Sequence, residues 1–372
     1  MKKAGKSMDL IVCGSLFQLF VAIILKKHFI KDRKVDLVFT DSVALFQSLS
    51  KHEGINSLFN TVRIANVNKA SFNRFECSKY GKIYFELFPD KYVKKVWGIN
   101  VKDYNVLYFS PYTHANVMLA YAMKKHNINC ELNVFEDGIS TYMLGNKQIF
   151  HLSKLVSKAF GNKTIEESID KVFVLEPNLM CVNGYKNIVR IPKPQEIEGL
   201  LQIYDDIFGV NEYKIKEDFI FFEESFNNDG YVTNDAELIN EVYKLCGKEN
   251  FILKNHPRNR VNRFDDALPI INVPMLWEYY LLNNNIDEKV LITVSSNTAF
   301  IPKILANSKP TIIFLYKIFN GTSPLLGSEN FQPYVDKYLS YYKDINDKIY
   351  FPETMEELKD IMGNLKLQKE SK

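Results

Sequence analysis

The 372-residue chain lacks the short motifs that mark several large enzyme classes. It has no D-x-D, so the carboxylates that bridge a metal to a nucleotide diphosphate in metal-dependent transferases are missing. No G-x-x-x-x-G-K-[ST] loop and no G-x-G-x-x-G turn occur, which disfavours P-loop NTPases and dinucleotide dehydrogenases. A G-x-S-x-G nucleophile elbow is absent as well, which disfavours serine hydrolases. Cysteine is sparse: Cys13, Cys77, Cys130, Cys181 and Cys246 stand singly, with no C-x-x-C and no Cys/His cluster. Neither a disulfide framework nor a zinc site is expected, and a reducing cytoplasm fits. Charge of one sign is also lacking, since 47 basic and 44 acidic side chains leave a net +3. No basic tract with interleaved aromatics runs along the chain, so a nucleic-acid partner is not expected.

Long hydrophobic runs are missing too. The most apolar stretch, Leu10 to Leu25, follows a basic start and so resembles a signal sequence. It falls short of the roughly 20 residues that span a bilayer, it is broken by Gly14, Ser15 and Gln18, and no small-residue cleavage pattern follows it. It reads instead as a buried strand, Asp9–Cys13, a Gly-Ser turn, and a helix from about Phe17 to Lys27. The chain is therefore expected to be cytoplasmic with no transmembrane segment. Peripheral contact with the inner face of the cell membrane through a basic surface is compatible with the composition.

What is present is a folded, aromatic-rich chain: 46% hydrophobic, 24% charged, 27 Phe and 21 Tyr. Its length suits two domains better than one core. Short β-rich runs alternate with helical patterns in both halves. In the first, DLIVC (9–13), VDLVFT (35–40), NVLYFS (105–110) and ELNVFED (131–137) read as strands, with a helix over Ala115–His126. In the second, DFIFFEES (218–225), NFILKNHP (250–257), KVLITVSSN (289–297) and PTIIFLY (310–316) read as strands, with helices over Asp235–Cys246 and Thr298–Asn307 and a closing helix over Pro352–Leu367. This alternation argues for parallel sheets covered by helices. Two Rossmann-like domains are expected, residues 1–200 and 201–372, facing across a cleft.

Ligands of open α/β sheets bind beyond the carboxyl ends of the strands. Four such ends carry polar residues that a plain connecting loop does not need. Glu136 and Asp137 precede Gly138; like charges this close raise each other's pKa and suit a general base, or simply form an acidic turn before a helix. The run Lys254-Asn255-His256-Pro257-Arg258 holds a histidine whose backbone the following proline restricts. Such a group, flanked by cations, suits a phosphate or a proton donor to a leaving group, though it also fits a surface histidine in a basic loop. Ser295, Ser296, Asn297 and Thr298 offer hydroxyls and amides at a helix start, as an anion site or as an ordinary cap. Glu278 can accept both hydroxyls of a ribose, or sit on the solvated face of a short helix.

Taken in order, His256-Pro257 after a strand, Glu278 four residues beyond Pro274, and Ser295-Ser296 after the next strand resemble bacterial sialyltransferases of glycosyltransferase family 52. That is the lipooligosaccharide and capsule group. The Phe135-Glu136-Asp137-Gly138 element is similar to their acidic-acidic-glycine motif. The match is best over about 218–305, with weaker support from 9–25 and 131–140. The resemblance implies a GT-B-like fold, a CMP-sialic acid donor, a glycan acceptor, inversion at the anomeric carbon, and no metal or other cofactor. It implies His256 as the general acid or phosphate-stabilising group, Glu278 on the cytidine ribose, and Ser296, with Ser295, on the CMP phosphate, beside Asn255, Pro257, Arg258, Asn297 and Thr298. Its base, an aspartate after the first strand of the second domain, has no unambiguous counterpart in Glu223-Glu224-Ser225-Phe226-Asn227-Asn228-Asp229-Gly230. Glu224 and Asp229 are candidates there, and Glu136 and Asp137 are their rivals, with the 136–137 pair preferred. Galactose is the expected acceptor sugar, and a homodimer is compatible with the group. Still open are a transferase of another nucleotide sugar, a sugar-nucleotide epimerase, and a non-catalytic glycan-binding component of a capsule pathway.

Overall fold

The computed structural model describes residues 8–67, 78–144, 166–209, 213–259, 263, 264, 267–271, 273, 275–321 and 323–371. Cys77 and Pro274, both named above, lie outside them. The chain forms two compact units, Met1–Val210 and Asn211–Lys372, ten residues beyond the division at 200. The helix Leu200–Phe208 explains the difference. Its Tyr204 is fully buried, stacks on Phe20 at 4.6 Å between ring centroids and donates its hydroxyl to the Phe20 carbonyl at 2.8 Å. The helix is thereby held to the first unit, where that ring pair contributes roughly 0.5–1.5 kcal/mol beyond its burial.

Among the described residues the first unit holds seven strands: β1 (Met8–Cys13), β2 (Val35–Thr40), β3 (Thr61–Ala65), β4 (Tyr104–Phe109), β5 (Glu131–Phe135), β6 (Lys171–Val174) and β7 (Ile188–Arg190). All pair in parallel, in the order β3-β2-β1-β4-β5-β6-β7. The central strands are near-continuous apolar runs because helices cover both faces of such a sheet. β3 and β7 are short, half-exposed edges, and for that reason carry little apolar signal. The apolar run at 10–25 is a strand, a turn and a helix, as its Gly-Ser break indicated. Ser15 caps the helix Leu16–Ile24 by accepting the Gln18 amide at 3.1 Å, and a wider π turn, Leu25–Phe29, follows. Among the described residues no helix is long and apolar enough to cross a membrane.

The second unit holds β8 (Phe219–Phe222), β9 (Phe251–Lys254), β10 (Val290–Thr293), β11 (Thr311–Phe314) and β12 (Ile349–Tyr350), again all parallel. Their order is β12-β11-β10-β8-β9. The helices Asp235–Cys246 and Met355–Glu370 lay Leu238, Ile239, Val242, Leu358, Met362 and Leu365 into one core with Phe219, Phe251 and Ile292. Burying each such side chain is worth roughly 1.5–3 kcal/mol. Thr354 caps the last helix by accepting the Glu357 amide. The helix expected over 298–307 is α-helical only over Asn297–Ile301 and continues as a π turn, Pro302–Ala306. Pro302 has no N–H to close the usual i→i−4 bond, and the wider turn accommodates that loss.

Candidate active site

In the second unit the direction of the strand order reverses at β8, which lies between β9 and β10. Open α/β sheets bind their ligands beyond the carboxyl ends of strands at such a point. Two adjacent glutamates follow β8, and extended backbone sends successive side chains to opposite sides. Glu223 turns toward the β9 loop. Its Oε2 accepts the His256 amide at 3.2 Å, while Oε1 accepts Arg263 Nε and Nη2 at 3.0 and 2.8 Å. Arg263 continues to Asp235 at 2.6 Å, and Thr233 donates to the same carboxylate at 2.6 Å. Glu224 turns toward the β10 loop. It accepts the Ser295 amide at 2.6 Å, the Ser295 hydroxyl at 3.1 Å and the Thr293 hydroxyl at 3.2 Å. One strand end thus joins the His-Pro loop and the Ser-Ser loop at a single edge of the sheet.

His256 is half-buried, and its Nδ1 accepts the Arg258 amide at 3.2 Å. That bond leaves the ring proton on Nε2 when the imidazole is neutral. Burial, then the charges of Arg258 and Lys254, lower its pKa to about 3, against a smaller opposing pull from Asp229. His256 is therefore a neutral Nε2–H donor rather than an imidazolium. Pro257 and Arg258 are exposed. Arg258 pairs with Asp229 at 3.2 Å, and Asp229 also accepts the Ser225 hydroxyl at 2.6 Å, which ties up the second candidate base of that loop. The Asn255 and Asn297 side-chain oxygens are buried without a partner among the described residues.

The two serines do not share a role. Ser295 is 0% exposed, with amide and hydroxyl both spent on Glu224, so it is not placed to meet a phosphate. The next residue along the extended chain takes the opposite side: Ser296 is half-buried and caps the helix Asn297–Ile301, its Oγ accepting the Thr298 amide and hydroxyl at 3.3 and 3.0 Å. The Thr298 carbonyl accepts Trp277 Nε1 at 3.0 Å, which fixes the start of the helix Trp277–Asn283 beside this loop. Glu278, in that helix's first turn, is buried and not on a solvated face. Burial raises its pKa to about 7, against the opposing charge of Lys254. Glu224 is likewise raised to about 7 by burial, against the lowering effect of its Ser295 and Thr293 donors.

In the first unit the order reverses at β1, between β2 and β4, and the acidic pair lies two strands away from β1, after β5. The two carboxylates of this pair have different partners. Glu136 is 0% exposed and accepts the Tyr142 hydroxyl at 2.9 Å and the Leu175 amide at 2.5 Å. It braces β5 against the chain after β6 and is not a solvent-facing base. Asp137 points the other way and is half-buried. It accepts the Ser110 hydroxyl at 3.0 Å, and its amide donates to Thr141 Oγ1 at 2.8 Å. The Ser110 carbonyl in turn accepts Asn116 Nδ2 at 2.6 Å. Gly138 follows at φ 65°, ψ −155°, a region essentially reserved to glycine.

Sequence reasoning missed Arg263, Asp235 and Ser110. Ser110 directly follows a strand and was findable by the rule that picked out the other four ends. Arg263 and Asp235 sit in a loop and at a helix start with no signal of their own. Among the described residues no group of three or more His, Cys, Asp or Glu is arranged to hold a metal ion.

Solved structures share this architecture. The glycotransferase of kitacinnamycin superposes with a TM-score of 0.50 at 9% identity, over 97% of this chain and 90% of that one. Arabidopsis thaliana UGT89C1 complexed with UDP-L-rhamnose matches at 0.48 and 11%, over 96% and 89%. Acinetobacter baumannii MurG matches at 0.44 and 9%, over 98% and 90%. At such identities the likeness concerns the fold alone, which is GT-B-like. No match was found among curated proteins. A family model described as alpha-2,8-polysialyltransferase (POLYST) matches residues 9–314. This chain is a glycosyltransferase and belongs to the alpha-2,8-polysialyltransferase family, a bacterial sialyltransferase family of the family 52 type.

Proposed function

We propose that the chain transfers sialic acid from CMP-sialic acid to a glycan hydroxyl, with inversion and without a metal. The observation that carries this reading is the joining of the His-Pro and Ser-Ser loops by Glu223 and Glu224, with His256 presenting Nε2–H. A CMP leaving group is a phosphate monoester and carries less charge than a diphosphate. An imidazole N–H and the Ser296 hydroxyl can stabilise it without a cation. As the bond from the anomeric carbon to the phosphate oxygen breaks, the acceptor oxygen attacks from the opposite face and its proton passes to Asp137. Glu224 holds the Ser-Ser loop in place and is not assigned as the base, because its carboxylate already takes three donor groups. Asn255, Arg258, Glu278, Asn297 and Thr298 complete the donor side.

The family description favours the terminal sialic acid of a glycan as acceptor, in α-2,8 linkage, and galactose is the other choice. Incubation with CMP-sialic acid and a panel of galactosides and short oligosialic acids, read by mass spectrometry, tests both. A product heavier by one or more sialic acids is expected in the presence of EDTA. Loss of activity in EDTA restored by Mn²⁺ would disprove the metal-free step. A thermal shift with UDP or GDP but not CMP would replace the donor.

A further inference from the structure

Outside the candidate site, the helix Lys79–Leu87 is packed on one side and apolar on the other. Gly81 and Phe85 are buried. Tyr80, Ile83 and Leu87 are 73%, 42% and 47% exposed, and Phe88 beyond them is 50% exposed. Positions 80, 83 and 87 fall on one stripe of a helix, and 81 and 85 lie roughly opposite it. Three large apolar groups in water along one stripe, with Phe88 exposed just past the helix end, need a partner, whereas single exposed ones do not.

The charge around the stripe points to what that partner is. Over 79–97 five lysines, Lys79, Lys82, Lys91, Lys94 and Lys95, stand against Glu86 and Asp90. This short stretch alone thus carries +3, as much as the whole chain. The second helix, Pro89–Trp97, buries Tyr92, Val93, Val96 and Trp97 and leaves its lysines outside. Lys91 lies over the Tyr84 and Phe88 rings at 5.2 and 5.3 Å and donates to the Tyr84 hydroxyl at 2.7 Å, so that helix's cationic face borders the apolar stripe. Lys94 and Lys95, one turn on, extend the same face. The pair is braced from behind: Lys125 donates to the Leu87 carbonyl at 2.7 Å and Tyr121 to the Glu86 carbonyl at 2.8 Å. Aromatic and aliphatic groups beside lysines are the composition of a helix that lies in a bilayer interface, with apolar groups among the acyl chains and ammonium groups at anionic headgroups.

We propose that the helical pair 79–97 docks this enzyme on an anionic phospholipid surface. The face fits a membrane better than a second copy of the chain, because two copies would bring ten like-charged lysines together. Docking is read without donor or acceptor, so its failure and the failure of the sialyl-transfer reading are separable.

The test is co-sedimentation of the full chain with vesicles of phosphatidylcholine alone or mixed with phosphatidylglycerol. Binding to the mixed vesicles, weakened by salt, is expected. Lys79→Glu, Lys82→Glu and Lys94→Glu together should weaken it roughly a hundredfold or more, since each lysine near an anionic surface contributes about a factor of five. Tyr80→Ser, Ile83→Ser, Leu87→Ser and Phe88→Ser together should abolish it while far-UV circular dichroism and turnover of a soluble acceptor are kept. Equal binding to both vesicle types, or no binding to either, overturns the proposal. So does a concentration-dependent dimer that the serine variant abolishes, which would assign the face to a second copy.

Discussion

Glu223 and His256 are tied through the backbone: the carboxylate holds the histidine's amide at 3.2 Å and leaves the imidazole to its Arg258 contact. The same carboxylate takes two donors from Arg263. The position of the ring is therefore set by a buried ion network that never touches it. Arg263→Ala, which leaves Glu223 and Asp235 buried without their shared cation, is expected to lower unfolding free energy by about 3–5 kcal/mol. Glu223→Gln keeps an acceptor for the His256 amide and should cost less. Urea denaturation of the two variants measures this, and equal losses would show that Glu223 does not hold the loop.

His256→Ala is expected to lower kcat by at least roughly a hundredfold, the lower end for a proton-donating group, with the fold retained. Near-normal turnover removes His256 from the step. Because its folded pKa lies at about 3, the ring should stay neutral as the free protein is taken from pH 8 down to about pH 5, where an ordinary histidine has protonated. Imidazole ¹⁵N shifts report this directly, with the proton on Nε2. A midpoint near neutrality would contradict the burial that the loop imposes.

Glu224 and Glu278 reverse the usual acid dependence. Their folded pKa values lie at about 7, above the ordinary 4.5, so between those limits the folded state binds protons that the unfolded chain has released. Their contribution is fully present below about pH 4.5 and is lost as pH rises through about 7. Tm should therefore fall less between pH 5 and 8 in Glu224→Gln than in the parent, and less still with Glu278→Gln added. An unchanged slope in both variants refutes the assignment.

In the first unit, Asp137→Asn is expected to lower kcat by about 10²–10⁴-fold. Ser110→Ala, which removes one hydrogen bond to that carboxylate, should cost about tenfold, the equivalent of ~1.4 kcal/mol. Glu136→Gln should act on stability instead, by about 1–3 kcal/mol, with the pH dependence of kcat unmoved. If Glu136→Gln shifts that profile and Asp137→Asn does not, the two roles are reversed.

The parallel sheets were legible because their central strands are unbroken apolar runs between helical patterns. The short edges β3 and β7 were not, being half-exposed. The candidate strand ends were visible as polar clusters after apolar runs, but which member of each pair faces outward was not. Glu136 against Asp137 and Ser295 against Ser296 depend on where the pleat ends, and a register of one residue decides each. Arg263 escaped because its value comes from two carboxylates that the fold, and not the sequence, brings to it.

Gly138 carries one more consequence. Its backbone, at φ 65° and ψ −155°, turns the chain immediately behind Asp137, in a conformation that any side chain would strain by roughly 1–3 kcal/mol. The carboxylate and the residue after it therefore cannot be varied independently. Libraries that randomise this loop should recover activity almost only where the third letter of the motif is kept, while tolerating change at Ser140, beyond the bend.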